Sequence, residues 1–127
     1  MPRIKAMSSG CASGSFFYVS VDGVEVQFDE NKPGGGYRGI AMVIVDPVTH
    51  EIVMKGVFDT HGRAEDNEPF LAALKSIEDD FHIGVFVAVD EATEQLNDGV
   101  VKMIKKMGSE KLSKLKFREP WAFIAQK

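Results

Sequence analysis

Hydrophobic residues in the first quarter of the chain form two short runs separated by a turn signal. The run Ser15–Val21 is rich in β-branched and aromatic residues, and Val24–Phe28 alternates apolar with polar positions. Between them lies Asp22-Gly23, a pair that suits a type I′ turn because both central residues need positive φ. The pattern predicts a β-hairpin whose second strand buries one face only.

Longer apolar runs follow and predict the centre of a sheet. Ile40–Val45 is continuously apolar, which indicates a strand covered on both faces. The composition of Asp46–His50 predicts a turn, and Ile52–Phe58 is predicted to pair with the strand Ile40–Val45. Ile83–Val89 predicts another buried strand, and Trp121–Ala125 a short last one.

Two segments show helical spacing instead. The first predicted helix spans Asp66–Ile77, with Pro69 tolerated near its start, and its apolar stripe comprises Phe70, Leu71, Leu74 and Ile77. The second is predicted to begin with Asn97 as N-cap and to end before Gly108, with a stripe of Val100, Met103, Ile104 and Met107. Strands combined with these helices predict an α+β fold with twisted sheets and helices outside.

Composition places the chain among ordinary globular proteins. The 127 residues, 44% hydrophobic and 27% charged, predict a single domain over 1–127, with 1–14 as an irregular or edge segment. The single cysteine, Cys11, excludes an intrachain disulfide and disfavours a thiolate zinc site. No apolar run suits a signal peptide or a membrane span, so we expect synthesis in a reducing cytoplasm and no membrane partner.

Charge is distributed unevenly along a chain whose net charge is -4. Acids dominate between Asp59 and Asp98, whereas bases dominate between Lys102 and Arg118. A basic stretch suits nucleic acid, but lysines in the last turns of a helix also complement its dipole. Because the whole chain is acidic, we favour the helix explanation and expect no nucleic-acid partner. The asymmetry also predicts a homo-oligomer in which copies associate head to tail.

No constellation in the sequence points to catalysis. A Gly-x-Ser-x-Gly elbow is absent, Cys11 has no histidine near it in sequence, and the three histidines lack metal-pair spacing. The glycine-rich run 34–39 lacks the lysine and hydroxyl residue of a P-loop. We therefore expect no enzyme, no catalytic residues, no metal and no cofactor.

Five segments, taken in order, resemble one known family, the interleukin-like EMT inducer domain, also called the GG domain. These segments are Gly36–Ile40, Phe58–Thr60, Val87–Ala92, Met107–Ser109 and Phe117–Ile124. The resemblance implies two packed, mainly antiparallel sheets flanked by helices.

The resemblance also implies a binding site made of Arg38, Asp90 and Arg118. These positions converge beside the sheet edge in the family, and they line a sugar site where the domain serves as a lectin-like stem. Carboxylate and guanidinium groups read sugar hydroxyls, and Trp121 or Tyr37 would add an apolar face for the ring. Alternatively, the three charged residues form an ion network that fixes the loop after the glycines.

The functional prediction depends on which members of the family this chain resembles more, the animal cytokine-like ones or those of phages. It lacks the paired cysteines and secretion signal of the animal cytokine-like members, and the family also occurs in phage long tail-fibre apparatus. We therefore predict a non-catalytic interaction module, structural or tail-fibre-associated in a phage virion, with glycan binding. Its location would be the virion after synthesis in the host cytoplasm, and its partners other virion proteins or a surface glycan. The alternative is a secreted carbohydrate-binding or cytokine-like signalling domain.

Overall fold

A computed structural model describes residues 2–8, 17–31, 37–60, 62–89, 95–109 and 121–126. Within these ranges it contains seven strands and two α-helices. The strands are β1 (Ile4–Ser8), β2 (Phe17–Val21), β3 (Val24–Glu25), β4 (Gly39–Val45), β5 (Ile52–Phe58), β6 (Ile83–Val89) and β7 (Ala122–Gln126). The helices are α1 (Asn67–Asp80), which a 3-10 turn at Ala64–Asp66 precedes, and α2 (Asp98–Lys106).

The strands form two antiparallel sheets, which confirms the predicted α+β class. One sheet has three strands in the order β1-β2-β3, and the other has four in the order β5-β4-β6-β7. Each neighbouring pair is antiparallel. The segment 1–14, predicted as irregular or edge, contains the edge strand β1 within its described part.

The four-stranded sheet is the middle of three layers. Side chains alternate across a strand, and every residue of β4 is buried. Ile40, Met42 and Ile44 face the helices, in a core with residues of α1 and α2. Ala41, Val43 and Val45 face the three-stranded sheet, in a second core with residues of β2 and β6. The prediction that this strand is covered on both faces is confirmed.

The predicted hairpin is present but shorter than expected. Asp22 and Gly23 have φ of 52° and 84°, both positive as the turn requires. The paired strand ends at Glu25, and Val24 is 70% exposed whereas Val26 is 8% exposed. The prediction that Val24–Phe28 buries one face is therefore wrong at Val24. This residue lies on a two-residue edge strand, and no layer covers it within the described residues.

Both helices carry the predicted signals. Helix α1 begins at Asn67 and ends at Asp80, three residues beyond the predicted Ile77. The Oδ1 of Asn97 accepts a hydrogen bond from the Val100 N–H at 2.9 Å, as an N-cap does. Gly108, with φ of 121°, follows the end of α2. Neither helix has the length and apolarity needed to span a membrane within the described part of the chain.

The two sheets are in contact along one side of the molecule, and a groove separates them along the other. On what we call the closed side, β1 packs against β6 and β7. On the open side, β3 and β5 are the edge strands, and a groove of about 590 Å³ lies between them. Val24, Glu25, Glu51 and Ile52 line this groove.

Candidate functional site

Gly39 brings the start of β4 against the end of β5. It has φ of 109°, a conformation that L side chains rarely adopt. A Cβ at this position would overlap the carbonyl oxygen of Phe58. The glycine therefore permits the close approach that sets Arg38 beside Asp59.

Arg38 and Asp59 form a bidentate ion pair at this approach. The guanidinium donates from Nε to Oδ1 at 2.9 Å and from Nη2 to Oδ2 at 2.7 Å. The Asp59 side chain is 1% exposed and the Arg38 side chain 19% exposed. Two parallel charge-assisted bonds fix the plane of the guanidinium as well as its position, so Arg38 is held in one orientation.

The loop after Asp59 is built around the same carboxylate. The Gly62 N–H donates to Oδ1 of Asp59 at 2.8 Å, and the Asp59 N–H donates to Oδ2 of Asp66 at 2.9 Å. A Cβ on Gly62 would overlap Nη2 of Arg38. Glycine at this position thus leaves the space that the guanidinium occupies.

The side chain of Asn31 holds the backbone of Arg38 through two hydrogen bonds. Its Oδ1 accepts from the Arg38 N–H at 2.9 Å, and its Nδ2 donates to the Arg38 carbonyl at 2.9 Å. The same Nδ2 also donates to the Val57 carbonyl at 3.0 Å. Arg38 is therefore constrained at both its backbone and its side chain.

A buried asparagine joins this region to the helices. Asn67 donates to the carbonyls of Ala64 and Gln95 at 2.8 and 2.7 Å, and its Oδ1 accepts from the Asn97 N–H at 3.0 Å. The Gln95 N–H donates to the Thr60 carbonyl at 2.7 Å. Paired buried polar groups of this kind make an ordered local structure, so the loops at this end of the sheet share one hydrogen-bonded cluster.

The structure supplies an ion partner that the sequence did not identify. Arg38 lies in the cluster, whereas Asp90 and Arg118 fall outside the described residues, so their convergence stays a prediction. Asp59 accepts from the loop backbone at Gly62, and its ion pair with Arg38 was not among the predicted contacts. The available signal was an acid directly after a core phenylalanine, three residues before a glycine.

Trp121 lies in the core and not on a binding surface. It is 5% exposed, and its ring stacks with those of Phe86 and Phe123 at centroid distances of 6.3 and 6.1 Å. The indole N–H donates to Oγ of Ser109 at 3.2 Å. This burial counts against the predicted role of Trp121 in ligand binding, because a sugar ring would find no indole face to stack on.

Tyr37, the other aromatic residue considered for the site, is half-buried. Its hydroxyl donates to the Phe28 carbonyl at 2.9 Å, and its ring meets that of Phe17 edge-on at 5.0 Å.

Among the described residues, no group of three or more His, Cys, Asp or Glu side chains is placed to hold a metal ion.

Comparison with known proteins gives one family and several animal relatives. A sequence profile described as "Interleukin-like EMT inducer" matches residues 38–127. The human Cell migration-inducing and hyaluronan-binding protein is 30% identical over 92 residues, covering 72% of this chain and 7% of that protein. Bovine Protein FAM3C is 28% identical over 138 residues, covering 99% of this chain and 60% of that protein. Human Protein FAM3B is 26% identical over 128 residues, covering 92% and 54% respectively.

These relatives overturn the predicted virion function. They are vertebrate proteins, and one is named for cell migration and hyaluronan binding, so the prediction of a phage virion or tail-fibre protein is wrong. The relatives agree better with the alternative, a secreted carbohydrate-binding or cytokine-like domain. The error arose because the single cysteine and the start of the given sequence were given more weight than they carry.

Proposed function

This chain belongs to the interleukin-like EMT inducer family, and from this premise we propose that it is a secreted, non-catalytic domain that binds a carbohydrate. One observation carries the proposal: the 30% identity, over 72% of the chain, to a protein whose name states hyaluronan binding. The matched region is 7% of that protein, so its other activities are not transferred.

The geometry around Arg38 supports recognition of a polar ligand. Binding sites are most effective when their polar groups are already oriented, since less freedom is lost on binding. Arg38 meets this condition through its bonds to Asp59 and Asn31, and part of its side chain reaches the surface. Guanidinium groups suit both the hydroxyls and the carboxylates of an acidic polysaccharide. We assign Asp90 and Arg118 to the same site on the family resemblance.

The test is a calorimetric titration with hyaluronan oligosaccharides, with a neutral chitin oligosaccharide as comparator. We expect the parent chain to bind, Asp90→Ala and Arg118→Ala to abolish binding, and the melting temperature to stay nearly unchanged. Arg3→Ala is the matched control, because Arg3 is an exposed arginine that lies beside Asp22, outside the cluster around Arg38. Lack of binding by the parent to either sugar, together with a large fall in melting temperature for Asp90→Ala, would rule the proposal out.

A second candidate, cytokine-like signalling through a protein receptor, is favoured by the alignment of Protein FAM3C over 99% of this chain. Cell-surface binding separates the two. If the labelled chain still binds cells after enzymatic removal of their polysaccharides, a protein receptor is the ligand. If binding disappears with the polysaccharides, the carbohydrate proposal stands.

A further inference from the structure

The groove on the open side offers apolar surface on both of its walls. Its volume of about 590 Å³ falls within the range of clefts that hold ligands, about 300–1,000 Å³. Val24 lines it from β3 and is 70% exposed, and Ile52 lines it from β5 and is 42% exposed. A ligand in this groove would therefore remove apolar surface of both sheets from water.

Two contacts between the walls set the length of the groove. At one end, Nδ1 of His50 lies 2.8 Å from Oδ2 of Asp22. At the other end, the Lys55 ammonium donates to the Gln27 carbonyl. Four residues lie between His50 and Lys55, and this distance is roughly 13 Å in an extended strand. The space between the two contacts thus suits a short extended segment of about the same length.

The groove is negatively charged. Its carboxylates are those of Asp22, Glu25 and Glu51, and among the described residues no lysine or arginine lines it. Glu25 accepts from Nε2 of Gln27 at 3.0 Å, whereas the Glu51 carboxylate has no hydrogen-bond or ion-pair partner within the described part of the chain. An ionised carboxylate only accepts hydrogen bonds, so the groove is complementary to a cationic donor.

We propose that this groove binds a short basic segment of a partner protein, in which arginine or lysine lies next to apolar residues. The cationic groups bond to Glu25 and Glu51, while the apolar side chains and the methylene stems of the basic residues pack on Val24 and Ile52. A peptide segment suits the groove better than a free polyamine, because a polyamine has no side chains to cover the apolar walls.

The groove is separate from the carbohydrate site around Arg38. Arg38 precedes β4, whereas the groove residues Thr49–Ile52 follow it. The seven residues of β4 span about 20 Å. The carboxylates of the groove also repel those of an acidic polysaccharide. One chain can therefore bind a polysaccharide at one end and a basic protein segment at the other.

An NMR titration of the isotope-labelled whole chain tests the proposal. The probe is a synthetic pentapeptide of alternating valine and arginine, with valine at both ends and both termini blocked. We expect saturable shifts at the groove residues, which weaken with added salt because exposed charges are screened. A peptide with citrulline in place of both arginines keeps the shape and loses the charge, so it should bind about tenfold more weakly.

Variants of the chain separate charge from apolar contact. Glu51→Gln should weaken binding about threefold, whereas Glu68→Gln, at an exposed position on α1, should leave it unchanged. Val24→Ser should also weaken binding. Its control is Val48→Ser, because Val48 is 85% exposed and does not line the groove. Each variant should keep the amide spectrum of the folded parent, so that a loss of binding is not a loss of fold.

Several outcomes would overturn the proposal. They are the lack of saturable shifts up to roughly 5 mM peptide, shifts confined to residues outside the groove, equal binding of the citrulline peptide, and equal effects of the groove variants and their controls. Spermidine that binds as tightly as the peptide would make the ligand a small polyamine instead. A parent dimer that Glu51→Gln dissociates would show that a second copy fills the groove. Because carbohydrate titration is a separate measurement at a separate site, failure here leaves the proposed function untouched.

Discussion

The closed side and the open side of the molecule differ in how their sheet edges are covered. Both present sheet edges whose backbone groups need partners. On the closed side, the Ser8 hydroxyl donates to the Ala88 carbonyl at 2.6 Å and accepts from the Trp121 N–H at 3.3 Å. The Ala88 N–H also donates to the Trp121 carbonyl at 2.7 Å. On the open side, Ile52, Val53 and Met54 remain exposed.

This difference shows that strand pattern alone does not decide which edge is protected. One serine hydroxyl and one buried tryptophan join the sheets on the closed side, where the chain brings β1 beside β6 and β7. The open side has a hydrogen bond between turns, from Nδ1 of His50 to Oδ2 of Asp22 at 2.8 Å, and the groove between β3 and β5. We expect truncation of a buried residue on the closed side to cost more stability than a change on the open side.

The largest effect is expected at Trp121 on the closed side. Trp121→Ala removes a ring that is 5% exposed and packed with Phe86 and Phe123, and it leaves the Ser109 hydroxyl without its indole partner. Truncation of a buried aromatic residue lowers the free energy of unfolding by about 3–5 kcal/mol, which urea denaturation would measure. Ile124→Ala is the control, because Ile124 is close in sequence and exposed. Equal losses for both variants would contradict the assignment of Trp121 to the core.

A smaller but substantial loss is expected at the end of the open side, where Asn31 and Arg38 hold the chain against β5. Asp59→Ala removes the buried carboxylate that binds Arg38 and the Gly62 N–H. Removing one partner of a buried ion pair costs about 3–5 kcal/mol of unfolding free energy, and we expect the low end here because the Arg38 side chain is 19% exposed. Glu65→Ala, which breaks the exposed pair with Arg63, should cost much less, because solvent screens that pair. An Asp59 variant as stable as the Glu65 variant would show that the buried pair does not hold this end together.

The smallest effect is expected at Asp22 on the open side, and it depends on pH. Hydrogen bonds from the Arg3 backbone N–H and then from His50 hold the pKa of the Asp22 carboxyl below its usual value of 3.8. A carboxyl with a lowered folded-state pKa stabilises the fold above its usual pKa, and this stabilisation is lost as the pH falls through the lowered value. Asp22→Asn should therefore unfold at lower urea concentration than the parent at pH 6, with the difference shrinking as the pH drops below 3.8. A difference that stays constant down to pH 2 would show that the charge of Asp22 is not its cause.

Local features were predictable because they depend on neighbouring residues. The Asp22-Gly23 turn, the Asn97 cap and the glycine after α2 each follow from backbone preferences within a few residues. The burial of β4 on both faces follows from its continuous apolar composition. The sequence also contained enough of the family pattern to identify the family, but the virion function inferred from it was wrong.

The sequence by itself determined both helices with their apolar stripes, most of the strands and the family. Only the tertiary structure decided the ion partner of Arg38, the burial of Trp121 and which edge of each sheet is covered. Asp59 lies 21 positions from Arg38, and the Ser8 hydroxyl that binds the Trp121 N–H lies 113 positions away. Contacts of this length depend on strand order and register, which no local pattern specifies, because each strand can satisfy its own periodicity beside several different neighbours.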